Sequence, residues 1–225
     1  MDKERATYEK LFREIIDRLP EGQGPEIFIS DLELSVISCL RVFFPNIQHR
    51  VCLFHLCQAT YRRLQEEGLV NLYKGSPDFK LSVRKLWALA FVPQDRVLQH
   101  FLELGETCHE QAVRVYNYFR EFYVDGRRAV GRPRASALFP PPLWNVRERV
   151  LEGLPRTTNS CEAYNRRLGT LFAKHTGITA FLTNYRKECA RMDGLVARKV
   201  AGRRGPLRKK ADRERDERIR TITAD

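Results

Sequence analysis

The strongest structural pattern in the sequence is Phe28-Ile-Ser-Asp-Leu-Glu-Leu-Ser-Val-Ile-Ser-Cys-Leu-Arg-Val-Phe-Phe-Pro45. It predicts a short strand over residues 26–30, followed by the acid Asp31 and a helix over residues 32–44. The apolar residues of that helix recur at three- and four-residue intervals rather than in alternation. Pro45 ends it, and residues 48–54 return as a second strand that leads into Cys52-Leu-Phe-His55. An acid at the carboxyl end of a strand stands where α/β sheets place their chemistry.

Charge and composition narrow the class of protein. The chain has 225 residues and a net charge of +12, which favours a polyanionic partner, with nucleic acid ahead of an acidic membrane surface. No apolar run is long enough to cross a bilayer, and the charged start Met1-Asp-Lys-Glu-Arg5 predicts no secretory signal. Six cysteines in a chain of this length do not resemble a secreted disulfide framework. We therefore expect reduced thiols in the cytosol or nucleus and no membrane partner.

The chain is predicted to be α/β, mostly helical, in four parts. Residues 1–55 form a partial core, beginning with a helix over residues 4–19. Residues 56–143 form a helical insertion that ends in a basic loop rich in glycine and proline. Residues 144–190 return to the core, and residues 191–225 form a basic, mobile tail or a solvated helix.

Two acids are candidates for chemistry. Asp31 follows the first strand, and Glu162, in Arg156-Thr-Thr-Asn-Ser-Cys-Glu162, stands just inside a predicted helix. Carboxylates that meet in this way can hold the divalent ions of a two-metal phosphoryl-transfer site, and Mg²⁺ suits such ligands. Capping boxes at Ser30-x-x-Glu33 and Asn159-x-x-Glu162 are the purely structural alternative.

Four possible zinc ligands occur in His49-x-x-Cys52-x-x-His55-x-Cys57. A strand-to-helix transition does not readily bring all four together, and no second pair has zinc-finger spacing, so zinc is disfavoured. Cys52 is better explained as a core thiol. His55 either caps the following helix or reaches toward the acidic site.

Basic residues form three candidate DNA-contacting groups. Residues 186–225 contain fourteen Lys and Arg against seven Asp and Glu, a net +7 of the total +12. Such groups neutralise phosphates with sequence-independent, salt-sensitive affinity. A solvated basic surface or a localisation signal is the alternative for the tail. The candidates are Arg127, Arg128, Arg132 and Arg134 in the loop, Arg166 and Arg167 beside Glu162, and Arg203, Arg204, Arg208, Lys209 and Lys210 in the tail.

Five segments together resemble the Mutator-like element (MULE) transposase domain. They are Ser30-Asp-Leu-Glu-Leu-Ser-Val-Ile with Phe44-Pro45, Cys52-Leu-Phe-His55-Leu-Cys-Gln-Ala, Leu86-Trp-Ala-Leu-Ala-Phe-Val-Pro93, Trp144-Asn-Val, and Arg156 to Glu162. The likeness extends from about Thr7 to Leu168. It implies a ribonuclease-H-like DDE core, interrupted by a helical insertion, that cleaves and joins DNA in the nucleus with Mg²⁺ or Mn²⁺.

The resemblance also implies roles for individual residues. Asp31 matches the second catalytic Asp and Glu162 the catalytic Glu, while Cys52 and His55 match the Cys-x-x-His motif. The first catalytic Asp of the family lies on an opening strand, and Asp2, which directly precedes a helix, does not match it. We therefore expect a transposase fragment or domesticated derivative that is inactive as it stands. The alternative is a non-catalytic nuclear module that binds DNA or protein, and a homo-oligomeric state stays open.

Overall fold

A computed structural model describes residues 4–20, 24–127, 135–172, 177–203 and 209–224. Its two strands are β1 (Ile27–Ser30) and β2 (Gln48–Val51). The helices are α1 (Arg5–Ile16), α2 (Leu34–Phe43), α3 (Leu53–Glu66), α4 (Val70–Gly75), α5 (Pro77–Ala88), α6 (Val97–Glu106), α7 (Val113–Phe119), α8 (Pro141–Trp144), α9 (Arg147–Leu151), α10 (Asn159–Leu171), α11 (Ile178–Val200) and α12 (Lys210–Ala224). Residues 1–157 with the last three residues form one compact unit, and residues 158–222 form a second.

The two strands are parallel neighbours joined by α2. Their register pairs Ile27 with Gln48 and Ser30 with Val51, and a parallel pair needs such a crossover because both strands run the same way. The Cys52 amide N–H then donates to the Ser30 carbonyl oxygen over 2.8 Å. The carboxyl ends of β1 and β2 therefore meet at one edge of the sheet.

Aromatic packing fixes α1 against this β-α-β segment. Phe12 is buried with Cys39 and Leu40 of α2. The Phe12 ring meets the rings of Phe28 and Phe44 edge-on, with centroids 6.1 and 5.8 Å apart. Edge-to-face pairs at this distance add to the stability already gained from burial, so α1 belongs to the same core as the sheet.

The described chain from residue 53 to residue 127 is helical and contains no strand, as predicted. The sequence did not predict α4, and α7 continues as a π-helical turn over Arg120–Val124. This block returns to the sheet through a backbone hydrogen bond from the Leu53 N–H to the Arg156 carbonyl oxygen, 3.1 Å long. The start of α3 and Arg156 are thereby adjacent.

The segment predicted as a basic loop is closed at its base. The Ala135 N–H donates to the Arg127 carbonyl oxygen over 3.0 Å, while residues 128–134 lie outside the described residues. Trp144 is fully buried, and its indole N–H donates to the carbonyl oxygens of Tyr123 and Phe139. Trp144 is therefore a core residue.

The prediction of a mostly helical α/β fold is confirmed. A ribonuclease-H-like core stays a prediction, because the described sheet has two strands. Much of the predicted tail is helical, since α11 runs to Val200 and α12 follows. No helix among the described residues combines the length and apolar character that a membrane span requires.

Gly126→Ala should strongly destabilise the first unit. Gly126 has φ +81°, and an added Cβ would lie 1.7 Å from the Ala135 carbonyl oxygen. A positive φ and a backbone clash act together, so we expect a loss of about 2–4 kcal/mol in the free energy of unfolding. Denaturant titration measures it.

Gly105→Ala is the matched control. Gly105 lies in α6 with nothing within 4 Å of an added Cβ, so this substitution should stabilise by up to about 1 kcal/mol through helix propensity. Equal effects of the two substitutions on the free energy of unfolding would contradict the positive φ and the close backbone contact of Gly126.

Candidate functional site

Asp31 and His55 meet where the two strands end. Asp31 directly follows β1, and its side chain is 56% exposed. The His55 side chain, in the first turn of α3, brings its Nδ1 to 3.0 Å from the Asp31 Oδ1. The approach is not aligned as a hydrogen bond. Of the two roles predicted for His55, the structure shows the one that reaches the acid.

The backbone beneath Asp31 is held by a buried polar pair. The Ser30 hydroxyl donates to the Asp31 carbonyl oxygen over 2.9 Å, and the His49 Nε2 lies 2.8 Å from the same hydroxyl oxygen. Since the Ser30 proton is used in the first bond, Nε2–H of His49 is the donor in the second. Burial, with the charges of Arg41 and Arg50, lowers the pKa of His49 to about 4. His49 is therefore neutral at pH 7 and fixes the end of β1.

Sequence reasoning missed this role of His49. One signal was present, because His49 and Val51 alternate with Gln48 and Arg50 along β2 and so share its buried face. The partner, Ser30, could not be read from the sequence without the strand register.

The capping-box interpretation of Ser30-x-x-Glu33 is wrong. The Ser30 hydroxyl is bonded to the Asp31 backbone, and Glu33 itself is the residue before α2. The Glu33 carboxylate accepts a hydrogen bond from the Tyr8 hydroxyl over 2.9 Å. Asp31 thus lies outside the helix. Interaction with the helix dipole in the first turn therefore does not explain why an acid occupies this position.

Of the two cysteines near the site, Cys52 is buried and Cys57 is half-buried. Cys52 is fully buried, as a core thiol should be, and burial raises the pKa of Cys57 to about 12. A thiol with so high a pKa is protonated at pH 7 and is a poor metal ligand. With the His49 side chain hydrogen-bonded to Ser30 and that of His55 facing Asp31, the four possible zinc ligands do not share one site.

Glu162 lies in the first turn of α10 and is exposed. The residue before the helix is Thr158, and no side chain caps the helix there, so the second capping-box interpretation is also wrong. Asp31 is in the first unit and Glu162 in the second. The convergence of the two carboxylates therefore stays a prediction.

An ion-pair cluster around a buried glutamate joins α10 to α11. Glu188 of α11 is 5% exposed, and its carboxylate accepts hydrogen bonds from Arg167 at 2.9 Å and from Arg191. These two guanidinium groups lower the pKa of Glu188 to about 2, against the effect of burial. Arg167, predicted to contact DNA, is thus paired with an acid, and both Arg167 and its neighbour Arg166 are exposed.

The remaining basic candidates differ in their surroundings. Arg127 is exposed, with its Nε 3.8 Å from the Glu121 carboxylate. Arg203 and Lys209 are exposed in the second unit, and Lys210 lies 3.7 Å from Glu214. The candidates outside the described residues are Arg128, Arg132, Arg134, Arg204 and Arg208.

The described residues do not form a three-ligand metal site. No group of three His, Cys, Asp or Glu side chains within the described ranges is placed to hold a cation. In the first unit Asp31 faces an imidazole, and the neighbouring Glu33 carboxylate contacts a phenol. No catalytic step through a metal ion follows from this geometry.

An acid and a Cys-x-x-His motif at the end of a parallel β-α-β unit are thus the defining features of the first unit. Residues 1–59 match the family model for the MULE transposase domain, which confirms the resemblance over that segment and supports a transposase-derived protein. The likeness from residue 60 to Leu168 stays a prediction. A MULE transposase domain generally implies a divalent metal and an interaction with DNA. Comparison with curated proteins and with solved structures gave no match.

His49→Gln should remove a pH dependence of stability. The unfolded chain takes up a proton near pH 6.5, whereas folded His49 takes it up near pH 4. Stability therefore falls as the pH falls through this window, by up to about 3 kcal/mol. Gln keeps an N–H donor toward Ser30 but does not titrate.

Urea unfolding of both proteins between pH 7 and pH 4 measures the effect. His100→Gln, on the surface of α6, is the control for loss of a histidine. A His49→Gln protein with the wild-type slope would contradict the buried neutral imidazole.

Glu188→Gln should loosen the α10–α11 pair. The pKa of Glu188 is depressed in the folded chain, so its contribution is complete above about pH 4.5 and is lost as the pH falls toward 2. At pH 7 the variant should show faster amide hydrogen exchange in α10 and α11, while β1 and β2 are unchanged. Glu217→Gln on α12 is the control. Equal rates of amide hydrogen exchange in α10 and α11 of the two variants would contradict a stabilising role for the Glu188 ion pairs.

Proposed function

We propose that this chain is a MULE-transposase derivative that binds DNA in the nucleus, and that its 225 residues by themselves do not cleave DNA. The observation that carries the proposal is the match over residues 1–59. That segment contains Asp31 at the end of β1, with His55 of the Cys-x-x-His motif 3.0 Å away.

The position of Asp31 supports the DDE assignment. Its carboxylate is exposed at the carboxyl edge of the parallel pair, where a cation and a phosphodiester have access. In the proposal Asp31 corresponds to the second catalytic Asp and Glu162 to the catalytic Glu. Mg²⁺ or Mn²⁺ is the metal of the lineage, and Asp31 and Glu162 are its proposed ligands.

The proposed lack of cleavage follows from the available ligands. Two-metal catalysis depends on several carboxylates that hold two ions about 4 Å apart. In this sequence no residue is assigned to the first catalytic Asp, and Asp2 lies outside the described residues. A site with two carboxylates would bind metal weakly and lose the positioning on which the reaction depends.

DNA binding is supported by charge in the second unit. Arg166, Arg203 and Lys209 are exposed there, so phosphates can reach them. The net charge of +12 would attract DNA over the range of the Debye length. Affinity from such contacts is independent of DNA sequence and falls steeply with salt.

A protein-interaction module is the second candidate. Along α11 the apolar side chains of Ile178, Leu182 and Val196 are exposed, and they recur at helical spacing. Exposed apolar residues of this kind are typical of surfaces that contact other proteins. The DNA assay below separates the two candidates.

The cleavage assay uses supercoiled plasmid with Mg²⁺ or Mn²⁺. We expect no nicking by the wild-type protein above the level of Asp31→Asn or Glu162→Gln. Asp95→Asn, an exposed acid in the first unit, is the matched control. Metal-dependent nicking that Asp31→Asn or Glu162→Gln abolishes would overturn the proposed inactivity.

The binding assay measures affinity for a short DNA duplex against salt concentration. Replacing Arg203, Lys209 and Lys210 together by Gln should reduce the slope of log K against log[salt] by about 2–3, since each lost phosphate contact removes about 0.9. Replacing Arg62, Lys74 and Arg84, which are exposed in the first unit, is the control with equal charge loss. Wild-type protein that binds no DNA would overturn the DNA-binding proposal and make the basic residues an ordinary charged surface.

A further inference from the structure

Helix α11 carries a seam of apolar side chains along its length. The members of the seam recur at alternating intervals of four and three residues, which is the spacing of the a and d positions in a coiled coil. They are Ile178, Leu182, Tyr185, Cys189, Met192 and Val196. Cys189 is half-buried, and the other five are exposed. Nearly three heptads of apolar surface are thus left largely uncovered by the described residues.

The seam is separate from the face of α11 that packs against α10. That face contains Glu188, which is paired with Arg167, and Asn184, whose Nδ2–H donates to the Leu171 carbonyl oxygen over 2.9 Å. Cys189 directly follows Glu188, and successive residues of an α-helix point about 100° apart. The internal packing of the second unit therefore leaves the seam accessible to another helix.

Two charges beside the seam indicate which helix fits it. Arg186 and Asp193 each follow a d-position residue, Tyr185 and Met192, so both occupy e positions. Both are exposed, and neither forms an ion pair within the described ranges. They lie roughly 10 Å apart along the helix axis, which is too far for them to pair with each other. Charges at the e and g positions set the partner and the orientation in a coiled coil.

We propose that the seam is an interface with a second copy of this chain, in which two α11 helices pack antiparallel about a two-fold axis. The axis lies between Cys189 and Met192, so that Cys189 of one copy packs against Met192 of the other. Arg186 then faces Asp193 of the second copy, and the symmetry repeats this ion pair. In a parallel pair, Asp193 would instead face Glu188, a like charge.

The two ends of α11 favour the same arrangement. Ile178 is 72% exposed and Val200 83% exposed, and an antiparallel copy brings each of them close to the other at both ends of the interface. Lys199 takes the next place in the pattern, beside Leu182 of the second copy. There its methylene stem can cover apolar surface while its amine stays in water. The dimer depends on neither the family match nor DNA binding.

Sedimentation equilibrium of the full chain, under reducing conditions and without DNA, tests the interface. We expect a reversible equilibrium between one and two chains. Val196→Asp puts a charge into the seam from each copy and should weaken dimerisation at least about tenfold. Val42→Asp is the matched control, since Val42 of α2 is 61% exposed and Val196 is 58% exposed. The control should leave dimerisation unchanged.

A charge swap tests the orientation. Arg186→Asp and Asp193→Arg should each weaken dimerisation about threefold or more at low salt, because each creates two like-charge pairs across the axis. The double variant restores opposite charges and should recover wild-type dimerisation. Lys187→Asp makes the same charge change as Arg186→Asp on the side of α11 opposite the seam, so it should have no effect.

A chain that stays monomeric, or a dimer that Val196→Asp does not weaken, would overturn the interface. A double variant that fails to recover dimerisation would overturn the antiparallel orientation. Circular dichroism of each variant establishes that its helices are retained. DNA binding is measured separately, so a monomer that binds DNA would refute the dimer and leave the proposed function standing.

Discussion

The parallel pairing of β1 with β2 is the constraint on which the first unit depends. It consists of two four-residue strands, too short to be stable without other packing. The Ser30–His49 contact crosses the pair at its carboxyl end, and the Phe12 cluster covers the strands through α1 and α2. The Ser30–His49 contact and the Phe12 cluster thus both hold the strands in register. Asp31 and His55 therefore lie at the same edge of the sheet, although they are far apart in the sequence.

A neutral histidine is well suited to this place. His49 is buried beside two arginines, and a protonated imidazole would add a third positive charge in a space that excludes water. In its neutral form, His49 Nε2–H supports the Ser30 hydroxyl while that hydroxyl holds the Asp31 carbonyl group. The backbone of the exposed acid is thus fixed by two hydrogen bonds from largely buried side chains.

The local pattern of the chain predicted most helices and both strands, because hydrophobic periodicity follows local geometry. It misplaced ends. The second strand was expected to run to Phe54, but it ends at Val51, where the backbone turns into α3 and Leu53 bonds with Arg156. The position of Asp31 at the end of β1 was accessible from the strand pattern, and that of His55 near the acid was one of two roles that the sequence left open.

Contacts between distant residues could not be predicted in the same way. The contacts of Tyr8 with Glu33 and of Arg167 with Glu188 both depend on how elements pack. Single-sequence reasoning therefore assigned Arg167 to DNA on its charge alone, although a buried carboxylate also engages it. The burial of Arg149 has no local signature, since Arg147-Glu-Arg149 reads as an ordinary charged helix.

The hydrogen bond from Leu53 to Arg156 has a consequence for chain closure. The polypeptide leaves the sheet at Leu53, and the segment that follows ends at Arg156 beside the same backbone position. The entropy of closing a segment between two adjacent ends grows only slowly with its length. Residues inserted in the exposed loops of this segment therefore need not displace the strands.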